Sequence, residues 1–210
     1  MNIIDWPLDA ARAIRIVPAN QAGCEDLQAV FSTRGPAAIC QCQRYKLAPR
    51  EAFKSYPAEE RARRLREQTS CGRPEAATTS GLVAHLGDEA VGWCAVEPRP
   101  AYHGLLRVYK VPWEGRQEDK TDAGIWAVTC VFTRAGFRRR GIGYVLARAA
   151  VDYARDRGAR ALEAYPMLTK PGEDITWGEL HMGTRSIFAA AGFSEVSHPT
   201  PRRVVMRIDF

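Results

Sequence analysis

The stretch "GFRRRGIGYVLARAA", residues 136–150, decides the fold, because it joins an arginine run and a Gly-Ile-Gly turn to the start of a helix. From Gly141 onward the apolar residues recur at the spacing of one helical face: Ile142, Val145, Leu146, Ala149 and Tyr153. This spacing predicts an amphipathic helix that packs against a sheet and ends at Gly158. The first N–H groups of such a helix have no intrahelical partner, and the helix dipole adds positive potential there. The stretch therefore predicts a site for an anion.

Working outward, a nearly all-apolar strand at 124–133 precedes this stretch, and a second strand at 160–167 follows the helix. Two apolar runs flank Gly87-Asp88-Glu89 and predict a hairpin. The other predicted elements are a strand at 12–21, helices at 21–32, 56–68 and 183–193, and a final strand at 202–210. Residues 34–55 are expected to be irregular, and 98–123 and 168–181 to form long loops. This order predicts one α/β domain, with a mixed, mostly antiparallel central sheet flanked by helices and one parallel crossover.

The bulk composition is that of an ordinary globular protein with one core, since 46% of the 210 residues are hydrophobic and 26% are charged. No apolar run approaches the roughly 18 residues needed to span a membrane, and no secretory signal opens the chain. We therefore expect a cytoplasmic protein with no membrane partner. The net charge is +6, but the basic residues are scattered rather than interleaved with aromatics. This pattern argues against a nucleic-acid partner.

The cysteines give a further indication of the compartment. In the absence of an export signal we expect all six to be free thiols: Cys24, Cys40, Cys42, Cys71, Cys94 and Cys130. The Cys-Gln-Cys at 40–42 suggests a metal ligand pair, but no second Cys/His pair completes a set of four ligands. The sequence therefore predicts no metal site.

The glycines at 141 and 143 distinguish between known phosphate-binding loops. A Walker A loop would need a Gly-Lys-Ser/Thr ending, and a dinucleotide-binding loop would need a small residue where Leu146 stands. The pattern Arg138-x-x-Gly141-x-Gly143 instead resembles the acyl-CoA pyrophosphate loop of the GNAT superfamily of acetyltransferases. The later "AAAGF", residues 189–193, resembles that superfamily's closing segment. The resemblance implies one GNAT-like domain over residues 1–210, with residues 124–193 as the acetyl-CoA-binding core and the N-terminal half on the acceptor side.

The resemblance also implies which residues hold the co-substrate, acetyl-CoA. Backbone N–H groups of residues 139–143 would bind the pyrophosphate, and the pantetheine arm would pair with the preceding strand. The implied residues are Val131, Phe132, Thr133, Arg138, Arg139, Arg140, Gly141, Ile142, Gly143, Tyr144 and His181. The thioester would lie between the strands at 124–133 and 160–166, and an N–H near residues 130–132 would stabilise the oxyanion.

The catalytic groups depart from the family pattern. Many GNAT enzymes are thought to protonate the leaving thiolate with a tyrosine, at the position that Phe188 occupies here. Glu163 and Tyr165 share one face of a strand beside the expected thioester, so we predict Glu163 as the base and Tyr165 as the acid. Glu97 is a second candidate base. The resulting hypothesis is direct attack by an amine on acetyl-CoA in a ternary complex.

Two questions stay open at this point. Because Phe188 cannot donate a proton, a non-catalytic acyl-CoA sensor or partner-binding module is the alternative function. The acceptor is expected to lie among residues 34–55, 98–123 and 166–181, whose mixed charges and aromatics favour a small molecule or a peptide amine. A homodimer is compatible with the sequence.

Overall fold

The computed structural model describes residues 14–32, 34–107, 109–170, 172 and 175–210. The strands are β1 Ile14–Pro18, β2 Gly81–Leu86, β3 Glu89–Pro98, β4 Ile125–Thr133, β5 Ala161–Ala164, β6 Ser194–Thr200 and β7 Arg203–Asp209. The helices are α1 Cys24–Phe31, α2 Gly35–Cys40, α3 Ala58–Thr69, α4 His103–Arg107, α5 Ile142–Asp156, α6 Trp177–Leu180 and α7 Arg185–Ala190. No helix in the described part of the chain is long and apolar enough to cross a membrane.

The seven strands form one sheet in the order β1-β2-β3-β4-β5-β7-β6. Every neighbouring pair is antiparallel except β4 and β5, which are parallel and joined through α5. The predicted fold class, a mixed and mostly antiparallel sheet flanked by helices, is confirmed. The parallel pair matters most for the site, because β4 and β5 are connected by the stretch that carries the Gly-Ile-Gly turn.

The helices pack on both faces of the sheet. The buried face of α5, with Leu146, Ala147 and Ala150, packs against apolar side chains of β3, β4 and β5. Helices α1 and α3 cover the other face, where Trp93 is the largest buried side chain. This two-sided burial explains why β4 reads as an almost continuous apolar run.

Beyond its first four residues, β4 separates from β5. The two strands pair only from Ile125 to Val128, opposite Ala161 to Ala164. Against β3 the register passes from Val128 to Cys130, so Thr129 is an extra residue in a bulge. The rest of β4, residues 129–133, borders an opening that we call the β4–β5 gap. The resemblance described above implied a gap between these two strands.

Several local predictions need correction. β6 was not predicted, because its residues alternate poorly and all seven are at least partly exposed as an edge strand. Helices α2 and α4 lie in segments expected to be irregular or loop; each has only five or six residues, too few for a periodic signal. The strand predicted at 160–167 is continuous over Ala161–Ala164 only, and Met167 forms isolated bridges with Thr184 and Arg203. The first two residues of the strand predicted at 12–21 lie outside the described residues.

The prediction of six free thiols is wrong for one pair. Cys24, at the start of α1, forms a disulfide with Cys71, just after α3, with the two Cα atoms 5.1 Å apart. The two positions are separated by 47 residues, so only the folded packing of α1 against α3 brings them together. The remaining four cysteines are free, and Cys130 is buried close to Cys42.

Candidate active site

The turn before α5 has the backbone shape that an anion-binding helix start requires. Gly141 is the residue before the helix and adopts a left-handed conformation with φ of 72°, which favours glycine. No side chain caps this helix start. Within the described residues, no acceptor pairs with the N–H groups of Gly141, Ile142 and Gly143. These N–H groups and the dipole of a fifteen-residue helix are therefore available to an anion.

The space in front of these N–H groups stays open because of Gly143. A Cβ atom added there would meet only Ile187, at 3.8 Å, which is ordinary van der Waals contact. The glycine is thus not required by protein packing. Because Gly143 has no side chain, it instead leaves room for a ligand to approach the N–H groups at the helix start.

A glycine that sequence reasoning did not single out, Gly92, positions the same helix. A Cβ at Gly92 on β3 would come within 2.8 Å of Ile142 and 3.1 Å of Leu146. The bare backbone of β3 therefore lets the first turn of α5 lie close against the sheet. A glycine in the middle of an apolar strand was the signal available in the sequence.

Basic side chains surround the turn. Arg138, Arg139 and Arg140 are all exposed, and none of them forms an ion pair within the described part of the chain. Arg134 and Arg140 lie on the ring of Phe137, with centroid distances of 5.4 and 5.3 Å. Tyr144, one turn into the helix, is also exposed. Together the N–H groups and guanidiniums can hold a doubly charged phosphate group.

The backbone of β4 that faces the β4–β5 gap is partly occupied. The Val131 N–H donates to the His181 carbonyl at 2.8 Å, and on the other side of the gap the Met167 N–H donates to the Gly183 carbonyl at 3.0 Å. A ligand that accepts from the Val131 N–H must therefore displace the His181 carbonyl. Because N–H groups alternate along a strand and that of Arg134 points to β3, the N–H of Thr133 points into the gap.

Phe132 and His181, two further residues implied to contact the cofactor, lie in different environments. Phe132 points to the face opposite α5, where its ring packs edge-on against Phe31 at 5.1 Å. His181 is buried, and its Nδ1 lies 2.8 Å from the Gly178 carbonyl, so Nδ1 carries the proton. Its Nε2 faces the Tyr45 hydroxyl at 3.5 Å. Burial, aided by the Arg44 and Arg203 charges, lowers the pKa of His181 to about 4, so the ring is neutral at pH 7.

Glu163, the predicted base, lies in a buried ion-pair network. Its side chain has no exposed surface and contacts the guanidiniums of Arg99 at 3.2 Å, Arg207 at 3.3 Å and Arg116. Glu118 pairs with the same three arginines from the edge of the network. The Glu163 carboxylate is thus already well stabilised as an anion.

Tyr165, the predicted acid, is fully buried beside Glu163. Its hydroxyl donates to a Glu163 oxygen at 2.9 Å. Burial and the neighbouring carboxylate raise the pKa of Tyr165 well above its ordinary value, so the phenol keeps its proton. The structure thus brings the two predicted groups together on the face opposite α5, in a cluster that also contains Tyr45 and Met182.

The remaining candidates do not offer a free acid or base. Glu97, expected at a solvated strand end, forms a largely buried ion pair with Lys46. Phe188 is fully buried and packs edge-on against Phe193 at 5.3 Å, so the position of the family tyrosine is part of the core. Among the described residues no group of three or more His, Cys, Asp or Glu side chains could hold a metal ion.

A cleft of about 480 Å³ opens on the face opposite α5. Its walls come from residues 44–53, 103–109 and 178–181, together with Arg203. These are the three segments in which the sequence placed the acceptor. His181 links the cleft to the cofactor side, because its ring lines the cleft while its carbonyl contacts Val131 in the β4–β5 gap.

Comparison with known proteins agrees with this architecture. The family model described as the acetyltransferase (GNAT) family matches residues 43–169, more than half of the chain. The chain therefore belongs to the GNAT acetyltransferase family. No curated protein sequence matches it significantly.

Solved structures share the fold at low sequence identity. The structure of yncA from Salmonella typhimurium with its cofactor acetyl-CoA has 14% identity and a TM-score of 0.51, and 94% of each chain is covered. A GCN5-related N-acetyltransferase from Kribbella flavida has 16% identity and a TM-score of 0.50, over 95% of this chain and 99% of that one. The paia N-acetyltransferase from Thermoplasma acidophilum in complex with coenzyme A has 12% identity and a TM-score of 0.51, over 94% and 99%.

Sequence reasoning missed the partners of Glu163. Arg99 and Arg116 lie in a segment expected to be a polar loop, yet Arg99 is fully buried. A signal was present, because a glutamate within an apolar strand needs cationic partners if it is to be buried. Which arginines supply them depends on how the loop folds back over the sheet, and no local pattern shows that.

Proposed function

We propose that this protein transfers the acetyl group of acetyl-CoA to an amine by direct attack within a ternary complex. One observation carries the proposal: among the described residues the N–H groups of Gly141–Gly143 have no acceptor, and they begin the helix that connects β4 to β5. In this arrangement the helix start holds the pyrophosphate and the arginines at 138–140 add charge. The pantetheine arm enters the gap and pairs with the N–H groups of Val131 and Thr133. The family match and the acetyl-CoA and coenzyme A complexes of its structural neighbours support this assignment.

The acceptor then approaches from the opposite face, through the cleft. An alkylammonium, with a pKa of about 10.4, must lose a proton before it can attack the thioester. We propose that Glu163 accepts the proton that the attacking amine loses and that Tyr165 gives its hydroxyl proton to the departing thiolate. Their 2.9 Å hydrogen bond then returns a proton from Glu163 to Tyr165. The Glu163 carboxylate is fully buried and contacts the guanidiniums of Arg99, Arg116 and Arg207.

Cofactor binding is tested by comparing two triple variants in acetyl-CoA titrations. Replacing Arg138, Arg139 and Arg140 with alanine should weaken binding at least tenfold, because three charges near the phosphates are lost. The matched control replaces three arginines that lie further along α5 or directly after it, Arg148, Arg155 and Arg157. It should leave the affinity unchanged. Equal affinities in both triple variants would show that the phosphates bind elsewhere.

Turnover separates the enzyme from the alternative, a non-catalytic acyl-CoA sensor. The observation that favours the alternative is Phe188, which is buried in the core where the family tyrosine would stand. An enzyme releases coenzyme A thiol when acetyl-CoA is supplied with a panel of primary amines. Tight acetyl-CoA binding without thiol release for any amine would favour the sensor.

We further propose a cytoplasmic location, one catalytic domain over the whole chain, and no role for nucleic acid. Disulfides are uncommon in the cytoplasm, where thiol systems keep most cysteines reduced. The disulfide joins α1 to the segment after α3, on the face opposite α5, so either redox state leaves the helix start at Gly141 intact. A homodimer is compatible with this assignment.

A further inference from the structure

The acceptor cleft has a charge pattern that narrows the class of substrate. Four arginines line it: Arg44, Arg50, Arg107 and Arg203. Among the described residues that line it, the only carboxylate is that of Glu51. The cleft is therefore strongly cationic unless its arginines are neutralised by other groups.

Glu51 does not neutralise them, because its charge is used elsewhere. Both of its carboxylate oxygens accept from Arg64, at 3.0 and 3.1 Å, and one also accepts from the Tyr56 hydroxyl at 2.7 Å. These hydrogen bonds to Arg64 and Tyr56 lower the pKa of Glu51 to about 2, so the pair with Arg64 persists at any physiological pH. Glu51 and Arg64 together contribute no net charge to the cleft.

The arginines themselves have no acidic partner. Arg44, Arg50 and Arg107 are exposed, and within the described residues no carboxylate lies within ion-pair distance of them. Arg203 donates to the backbone carbonyls of Tyr165 and Glu179, which leaves its charge uncompensated. The field of Arg44 and Arg203 reaches the inner wall, where it adds to burial in keeping the His181 ring neutral.

The inner part of the cleft is aromatic. Tyr45 and Tyr109 pack together with ring centroids 5.4 Å apart, and Phe53 lies on the outer wall. The inner wall is His181, whose carbonyl contacts Val131 on β4. An acceptor in this cleft thus has a cationic rim on one side and the β4–β5 gap on the other.

We propose that the acceptor is a small amino acid-like molecule that carries a free carboxylate together with the reacting amine. Several unpaired cations would repel a simple alkylammonium or a polyamine, whereas a carboxylate reverses that repulsion and pairs with guanidinium groups in a fixed geometry. With its carboxylate on Arg44 and Arg107, the molecule directs its amine inward, past Tyr45, towards the thioester. This inference rests on the proposed acetyl transfer.

The experiment compares amines that differ only by the carboxylate. Tyrosine with tyramine, and lysine with cadaverine, are each supplied with acetyl-CoA, and thiol release gives kcat/KM. We expect the carboxylate-bearing member to be favoured at least tenfold in each pair, the effect of one charge-assisted contact. The double variant Arg44→Gln/Arg107→Gln should lose most of this preference. The matched control, Arg15→Gln on the distant edge strand β1, should keep it.

Direct binding separates this inference from the acetyl transfer on which it rests. Tyrosine and tyramine are titrated by calorimetry into the protein loaded with coenzyme A. Tighter binding of tyrosine that depends on Arg44 and Arg107, without any turnover, would overturn the acetyl transfer and leave the ligand class standing. Equal or tighter binding of tyramine, or a preference that survives Arg44→Gln/Arg107→Gln, would overturn the proposal.

Discussion

The two parts of the site, the start of α5 and the Glu163 network, hold charge in opposite ways. At the helix start the donors are backbone N–H groups and exposed arginines that form no ion pair with any described residue. Around Glu163 the charges are buried and paired with one another, with Arg99 fully buried and Arg207 partly so. The first arrangement is ready for an external anion, whereas the second is already satisfied. The contrast shows that a cluster of arginines marks a ligand site only where its charges lack internal partners.

The largest expected effect tests whether the Glu163 network is structural. Glu163→Gln removes the buried anion and leaves three guanidiniums facing each other, so we expect the free energy of unfolding to fall by about 3–5 kcal/mol. Glu118→Gln is the matched control, because Glu118 binds the same arginines but is partly exposed, and it should cost about 1 kcal/mol or less. Denaturant unfolding measures both. Equal losses would show that burial does not set the difference between the two carboxylates.

A smaller effect concerns His181, the buried neutral ring between the two regions. Its pKa is about 4 in the folded protein, because burial and the Arg44 charge disfavour its cation, and about 6.5 when unfolded. Since the unfolded chain binds the proton more readily, the folded state loses stability as the pH falls from about 6.5 to 4. The loss is about 3 kcal/mol.

The measurement is the free energy of unfolding of wild type and His181→Asn across this pH range. The difference in the free energy of unfolding between wild type and His181→Asn should change by about 3 kcal/mol between about pH 6.5 and pH 4. It should stay constant above about pH 6.5. A parallel pH dependence of wild type and His181→Asn would contradict a neutral buried His181.

The smallest effect on stability is expected at Tyr165, where one hydroxyl is lost. Tyr165→Phe removes the 2.9 Å hydrogen bond to Glu163 and should cost about 1 kcal/mol. If Tyr165 is the acid, kcat falls by about 10² to 10⁴ while acetyl-CoA affinity stays the same. Tyr102→Phe, in the same aromatic cluster but not among the residues that line the cleft, is the control for loss of a buried hydroxyl. Unchanged kcat in Tyr165→Phe across the pH range would remove it from the mechanism.

The start of α5 and the Glu163 network differ in how much of their structure the sequence predicts. The helix start is local: Gly141, the arginines at 138–140 and the apolar stripe of α5 lie within about twenty residues, so their spacing predicts both the helix and its anion site. The sheet class followed from the apolar strands on either side. Glu163 and Tyr165 were also correctly placed beside each other, since a strand's period of two puts them on one face.

The rest depends on contacts between distant parts of the chain. Arg99, Arg116 and Arg207 meet at Glu163 from three separate segments, and the cationic cleft combines residues 44–53 with Arg107 and Arg203. The Cys24–Cys71 bond and the edge strand β6 are likewise products of packing and pairing across the fold. Side chains that meet only after folding form no periodic pattern in the sequence. The sequence of these loops therefore could not show which of their arginines would be buried.

The most direct test of the account is a calorimetric titration of acetyl-CoA into the Gly143→Glu variant. A Cβ atom at this position meets only Ile187, at 3.8 Å or more, so circular dichroism should show an intact fold. The added bulk and negative charge lie where the pyrophosphate is expected, and the affinity should fall at least a hundredfold, about 2.7 kcal/mol. Arg155→Glu, about 18 Å further along the same helix, is the control and should bind like wild type. Wild-type affinity in a folded Gly143→Glu protein would contradict the proposal that the start of α5 holds the cofactor.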